Sequence, residues 1–165
     1  MDRYSTHLPL LSKISKLTQI KTCLEFGMGN YSTSFLLDNT EQSVTSIEMQ
    51  SSEWFNIVKN KFGSNAKWNG ILCLDPNAVF NLQYLKHYDL VLVDGYGSNR
   101  PECANFSATF SDTIVVHDTE AVSVYGWDRI KLESIGYSSF IDKAQEPWTT
   151  VYSKNSNLIK SLNES

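Results

Sequence analysis

The sequence has little of what marks a secreted or membrane-spanning protein. Its three cysteines, Cys23, Cys73 and Cys103, lie far apart and mostly within apolar strings. We interpret them as buried thiols in a reducing cytoplasm rather than as a disulfide set or a metal site. No apolar run approaches the roughly 20 residues that span a bilayer. Residues 1–17 lack the continuous apolar core of a signal peptide. We therefore expect a cytoplasmic protein that has no membrane partner.

Basic residues are also in short supply. The 14 Lys and Arg are outnumbered by 18 Asp and Glu, and the net charge of −4 provides no general attraction for DNA or RNA. With 41% hydrophobic and 19% charged side chains, the composition is typical of a globular protein. The 165 residues suffice for one full core. We expect a single domain over 1–165, with an N-terminal helix over 8–18, a core over 20–152 and a short tail over 153–165.

Apolar runs alternate with helical patterns along the chain. Asp75 and Pro76 predict a helix start, because they provide a capping side chain and a proline at the first helical position. Weaker patterns predict helices over 101–110 and 122–134. Strands are predicted over 22–26, 44–48, 67–74, 89–93, 113–116, 137–141 and 148–152, the last two as an antiparallel pair. This alternation predicts an α/β fold: a mostly parallel seven-stranded sheet with helices on both faces and a C-terminal antiparallel hairpin.

Polar side chains that could take part in binding or catalysis lie where the predicted parallel strands end. In such sheets, ligands bind beyond the carboxyl ends of the strands, near the point where strand order reverses. We therefore expect one binding site at this edge. The residues at successive strand ends are Glu25 and Gly27, Glu48, Asp75, Asp94, and His117 with Asp118.

The loop after the first strand has two glycines, Gly27 and Gly29, but Ser32 where a dinucleotide-binding loop has its third. Glu25 would repel a nearby pyrophosphate. A ligand with an ammonium group beside a carboxylate suits the loop better, since the loop amides and helix N-terminus attract the carboxylate while Glu25 attracts the ammonium, directly or through water. The amino-acid end of S-adenosylmethionine carries both groups.

Glu48 follows the second strand, where an acid can accept both hydroxyl hydrogens of a ribose. The segments EFGMG (25–29), SIE (46–48), YDLVLVDG (88–95) and IVVHDT (114–119) resemble those of class I S-adenosylmethionine-dependent methyltransferases. The resemblance covers about residues 20–152 and implies a Rossmann-like fold with S-adenosylmethionine as cofactor. One departure is Tyr31, which stands where the family's commonest loop has a third glycine. Asp75 could meet the adenine amino group or only cap its own turn.

Asp94, His117 and Asp118 form a second candidate cluster. Two carboxylates and an imidazole could hold a divalent cation such as Mg²⁺ or Mn²⁺. The positions resemble those of metal-dependent O-methyltransferases of the catechol and caffeoyl type, which implies Asp94, His117 and Asp118 in place of that family's Asp, Asp and Asn. Gly97 replaces a basic residue of the family. Without a metal, His117 could act as a general base, or the pair 117–118 could be structural. The resemblance also implies that Asp94 could simply line the methyl-donor pocket, as in many class I enzymes.

The substrate is expected to be a small hydroxylated molecule. Arg100 could hold an anionic substrate group or remain a solvated loop residue, and Tyr96 could roof the pocket or belong to the core. The turn at 94–97 lacks the proline pair of DNA amino-methyltransferases, which argues against a flipped base. No inserted lid is visible, so the pocket is either open or completed by a second subunit, and a homo-oligomer stays an option. Two alternatives are an S-adenosylmethionine-binding protein or enzyme of other chemistry, and a dinucleotide-binding domain.

Overall fold

The strands form one mixed sheet in a computed structural model that describes residues 5–81, 86–95 and 97–164. In spatial order the strands run β3-β2-β1-β4-β5-β7-β6. The first five are parallel, whereas β7 is antiparallel to both β5 and β6. This confirms the predicted sheet and its C-terminal hairpin. The strands are β1 Thr22–Phe26, β2 Ser43–Glu48, β3 Trp68–Leu72, β4 Leu90–Val93, β5 Thr113–His117, β6 Ser138–Asp142 and β7 Thr149–Ser153.

Helices cover both faces of the sheet. They are α1 Leu8–Leu17, α2 Ser32–Asn39, α3 Ser52–Phe62, α4 Arg100–Ser107, α5 Val122–Tyr125 and α6 Ser156–Asn163. Successive strand residues point to opposite faces, so Cys23 belongs to a core with α1, α2, α3 and α6 while Leu24 belongs to a core with α4. Strands β4 and β5 are buried along their whole length, as the apolar runs 90–93 and 114–116 predict.

Three regions differ from the predicted elements. Asp75 accepts a hydrogen bond from the Asn77 N–H, and the 3-10 helix Ala78–Asn81 follows it up to the last described residue before 86. The helix predicted over 122–134 is wrong, because Gly126 adopts a left-handed conformation that ends α5 after four residues. Short 3-10 turns follow, at Trp127–Arg129 and Glu133–Ile135.

The segment predicted as a short tail, 153–165, contains α6. The Asn155 side chain accepts hydrogen bonds from two backbone N–H groups and so caps its start. One face of α6 is buried against α1 and the end of the sheet through Leu158, Ile159 and Leu162. That apolar spacing is helical. No helix among the described residues has both the length and the apolar character needed to cross a bilayer.

Candidate functional site

A cavity of about 620 Å³ opens at the carboxyl ends of the parallel strands, where β1 and β4 lie side by side and strand order reverses. This is the position expected for the ligand site of such a sheet. The wall combines the loops after β1, β2, β4 and β5 with the β6–β7 turn, α5 and the segment before α1. Its lining includes Gly27, Met28, Gly29, Gln50, Trp54, Asp94, Gly95, Arg100, His117, Asp118, Tyr125 and His7.

Gly27 allows two of these loops to touch. Its φ is +89°, and a Cβ added to it would lie 2.3 Å from the Cα of Gly95. Any side chain would therefore have to push the loop after β4 away, in addition to straining the backbone. The Gly27 N–H donates to the carbonyl of Ile47 across 2.8 Å. Gly27 thus fixes the loops after β1 and β4 at their closest approach.

Glu25 lies behind the glycine loop and does not line the cavity. Its Oε1 accepts hydrogen bonds from the hydroxyls of Thr33 and Ser46, each across 2.5 Å. The Thr33 hydroxyl oxygen in turn accepts a hydrogen bond from the Gly29 N–H at 3.1 Å. The carboxyl is fully buried and does not reach the cavity. Of the two predicted modes, direct contact with an ammonium group does not fit this position, and the indirect mode stays a prediction.

The environment of Glu25 disfavours its charge. Removal from water raises the pKa of this carboxyl to about 7, although the hydrogen bonds from Ser46 and Thr33 lower it. Its Oε2 is buried without a hydrogen-bond partner among the described residues.

Glu48 and Asp75 organise the loops after β2 and β3. Glu48 is 4% exposed, and its Oε1 accepts hydrogen bonds from the N–H groups of Gln50 and Ser51 at 2.8 and 3.1 Å. These bonds shape the turn into α3, which the Ser51 hydroxyl caps, and they place Gln50 and Trp54 in the cavity wall. The Trp54 indole also donates to the Met28 carbonyl at 2.8 Å. The Asp75 side chain is exposed, is not among the lining residues, and bonds within its own turn.

Arg100 joins the ends of β4 and β5. Its guanidinium lies 3.1 Å from Asp94 Oδ1 and 2.6 Å from Asp118 Oδ2. It also donates to the carbonyls of Gly95 and His117, and it lies 4.4 Å from the centre of the Tyr125 ring. The predicted role of holding a substrate anion is therefore not what this geometry shows. The Arg100 side chain is 9% exposed, and its one positive charge is shared between two carboxylates of the protein.

The Asp94 carboxyl titrates abnormally. Desolvation raises its pKa to about 6, while Arg100 and then His7 oppose the shift and Asp118 reinforces it. Its position in the cavity wall beside the β5 end agrees with the prediction that these groups converge. Tyr96, proposed from the sequence as a substrate contact, lies outside the described residues.

His117 faces a second histidine that the sequence did not reveal. The His117 Nδ1 hydrogen-bonds with the Thr149 hydroxyl at 3.0 Å, and its Nε2 lies 3.4 Å from Thr6 Oγ1 and 3.6 Å from Asp118 Oδ1. The His7 ring stands edge-on to His117, with ring centres 4.9 Å apart. Potential ligand atoms of His7, Asp94 and His117 all lie within 4.8 Å of one another.

Burial disfavours the positive charge of both imidazoles. It lowers the pKa of His7 to about 4 and also lowers that of His117. His7 went unassigned because it precedes α1, far along the chain from Asp94, and no spacing rule connects them. Its place beside the apolar face of an amphipathic helix was the one available signal of burial.

No protein-family model and no curated protein matches this chain. Solved structures do match. An O-methyltransferase from Bacillus cereus, in complex with S-adenosylhomocysteine, has 17% identity and a TM-score of 0.71 over 93% of this chain and 82% of its own. A structure described as a putative caffeoyl-CoA O-methyltransferase from Staphylococcus aureus has 12% identity and a TM-score of 0.71 over 90% and 82%. The O-methyltransferase TomG from Streptomyces achromogenes, in complex with S-adenosylmethionine, has 18% identity and a TM-score of 0.66 over 93% and 80%.

These similarities show the fold. The chain has the Rossmann-like architecture of class I S-adenosylmethionine-dependent O-methyltransferases over most of its length, as the resemblance of its strand-end motifs predicted.

Proposed function

We propose that this protein is an S-adenosylmethionine-dependent methyltransferase that methylates a hydroxyl group of a small molecule. The observation that carries the proposal is the single cavity wall in which the glycine loop after β1 meets Asp94 and His117. The proposed methyl-donor site and the groups that could accept a proton from the substrate thus line one cavity. Its volume of about 620 Å³ is in the usual range for a small-molecule site.

The charge of the wall favours a sulfonium compound over a dinucleotide. Of the charged lining side chains, Asp94 and Asp118 are acidic and Arg100 is basic and ion-paired to both. With neutral histidines, this part of the wall carries a net negative charge when both carboxyls are ionised. Such a wall attracts the ammonium and sulfonium groups of S-adenosylmethionine and repels a pyrophosphate. It therefore supports the methyl donor against the dinucleotide alternative.

The loops give each end of the donor a partner. Backbone groups around Gly27 and Gly29, before α2, would hold the amino-acid carboxylate. Glu48, with Gln50 and Trp54 beside it, would hold the nucleoside, and Glu25 would act through its bonds to Thr33 and the loop. Asp75 is retained only as a prediction for the adenine. Bound S-adenosylmethionine would supply a methyl group activated for transfer.

The residues at the β4 and β5 ends would prepare the methyl acceptor. His117 is held at Nδ1 by Thr149, and its neutral imidazole can take a hydroxyl proton at Nε2. Asp94 faces the same cavity, while Asp118 is fixed by Arg100 and acts as a positioning residue. A divalent cation that polarises the hydroxyl is the alternative to a free base.

The proposals for cellular location and substrate class rest on the cysteines and on the net charge. We propose a cytoplasmic location, which the free thiols of the three cysteines support. The negative net charge supports a small-molecule substrate over a nucleic acid. Completion of the open side by a second subunit stays a prediction.

Calorimetric titration with S-adenosylmethionine, S-adenosylhomocysteine and NAD tests the donor. We expect heat from the first two and none from NAD; binding of NAD alone would overturn the proposal. Mass spectrometry of reactions with small hydroxylated compounds then tests transfer. We expect a methyl ether in the wild type, and at least a tenfold lower rate for Asp94→Asn with donor affinity nearly unchanged. An equal loss of rate and affinity in that variant would assign Asp94 to donor binding instead.

A further inference from the structure

His7 is a buried imidazole with no visible hydrogen-bonding role. It is 1% exposed, and neither ring nitrogen has a hydrogen-bond partner among the described residues. Buried polar groups are nearly always satisfied, so an orphaned pair of nitrogens requires an explanation such as an ion. The segment before α1 brings this ring against His117 at the cavity wall. The position therefore points to a ligand held between the two histidines.

The third member of the group is Asp94. Its Oδ1 contacts Arg100, and a carboxylate has a second oxygen for another partner. The candidate ligand atoms of His7, Asp94 and His117 lie within 4.8 Å of one another. Ligands bound to one ion at roughly 2.0–2.2 Å lie roughly 3–3.5 Å apart. Side-chain shifts of about an ångström would close the group on an ion.

Two neighbouring contacts define the ligand set. Thr149 engages Nδ1 of His117, and such support of the opposite ring nitrogen is usual for metal-binding histidines. A metal at Nε2 would replace the long contact of that nitrogen with Thr6 Oγ1 at 3.4 Å. Asp118, a predicted ligand, is instead committed through Oδ2 to Arg100 at 2.6 Å. The positive charge of Arg100 repels a metal ion bound nearby. The negative charges of Asp94 and Asp118 offset part of the combined positive charge of Arg100 and the ion. The structure thus replaces Asp118 with His7.

From this arrangement we infer that His7, Asp94 and His117 form a binding site for a divalent transition-metal ion. Two imidazoles and one carboxylate suit Mn²⁺, Fe²⁺ or Zn²⁺ and disfavour Mg²⁺, which prefers oxygen ligands. Three protein ligands leave coordination positions open on the cavity side. Metal binding is independent of methyl transfer, whereas polarisation of a substrate hydroxyl by the ion rests on the proposed function.

The test is a titration of the chelator-stripped, full-length protein with Co²⁺, followed by visible absorption spectroscopy and by competition with Zn²⁺ and Mg²⁺. We expect one equivalent of Co²⁺ to give ligand-field bands, Zn²⁺ to displace it, and millimolar Mg²⁺ to leave it bound. His7→Gln should weaken Co²⁺ binding at least tenfold. The matched control is His87→Gln, since His87 is an exposed histidine, and it should bind Co²⁺ as the wild type does.

Several results would overturn the site: no Co²⁺ bands in the wild type, equal affinity in His7→Gln, or displacement by Mg²⁺ as readily as by Zn²⁺. Asp94→Asn is the second variant, expected to weaken Co²⁺ binding at least tenfold, in case His7→Gln fails to fold by circular dichroism. S-adenosylhomocysteine titrations on the same samples separate the two proposals. Donor binding without metal binding refutes only the metal site, and metal binding without donor binding refutes only the proposed function.

Discussion

Replacement of Glu25 by glutamine should make the protein more stable relative to the wild type as the pH rises. The Glu25 carboxyl is fully buried, and desolvation raises its pKa from 4.5 to about 7. The native state therefore keeps a proton that the unfolded chain releases between these values. Native stability consequently falls as the pH rises through this window and levels off above pH 7. Glutamine retains an acceptor oxygen for Thr33 and Ser46 and carries no charge to bury.

The size of the effect follows from the two pKa values. Integration of proton release by the unfolded and native states between pH 5 and 8.5 gives a loss of about 2.5 kcal/mol for the wild type and none for Glu25→Gln. The glutamine NH₂ group replaces Oε2, which has no hydrogen-bond partner among the described residues. Burial of this unpaired NH₂ group lowers the stability of the variant by an amount that does not change with pH. The change in the stability difference with pH is therefore the diagnostic quantity.

Urea unfolding followed by tryptophan fluorescence at pH 5 and pH 8.5 measures this change. From pH 5 to pH 8.5, the free energy of unfolding of Glu25→Gln should rise by about 2–3 kcal/mol relative to that of the wild type. The exposed Glu53→Gln is the control and should shift by less than about 0.5 kcal/mol. A Glu25→Gln shift as small as that of the control would refute the assignment of Glu25 as a carboxyl that burial keeps protonated near neutral pH.

Three further outcomes are expected. Gly27→Ala should lower the free energy of unfolding by at least about 2 kcal/mol more than Gly136→Ala, because both have positive φ but only the first meets another backbone; equal losses in urea titrations would contradict this. Glu48→Ala should weaken S-adenosylhomocysteine binding by about 1–3 kcal/mol in calorimetry, with Glu53→Ala as the control, and unchanged affinity would remove Glu48 from the site. Arg100→Met should destabilise the protein by about 3–5 kcal/mol at pH 7.5, because two carboxylates lose their partner. This loss of stability should be smaller at pH 5.5, because one of the two carboxyls becomes protonated. A loss of stability that does not depend on pH would contradict the assigned ion pairs.

The sheet could be predicted from the sequence because its signals are local. The runs 90–93 and 114–116 are apolar throughout, as buried parallel strands require, and the strands predicted over 89–93 and 113–116 match β4 and β5 within a residue. The helix predicted over 122–134 failed for an equally local reason. Gly126 takes a left-handed conformation there, and apolar spacing gives no sign of it. The helix α6 was overlooked although Leu158, Ile159 and Leu162 have helical spacing.

The strand ends located the site, but not the partner of each side chain. Glu25 stands at a predicted loop, yet no sequence rule pairs its carboxylate with the hydroxyls of Thr33 and Ser46. Arg100 binds Asp94 and Asp118 because the helix α4 begins where β4 and β5 end. His7 joins them from the start of α1. Such contacts arise from tertiary packing, so only the structure could supply them.

The most direct measurement is a crystal structure of the protein grown with S-adenosylhomocysteine. We expect the ligand in the cavity of about 620 Å³. Its amino-acid end should lie at Gly27 and Gly29 and its ribose beside Glu48. Its sulfur should point toward Asp94 and His117. A well-ordered protein with an empty cavity at saturating ligand, or with the ligand bound elsewhere, would contradict the account.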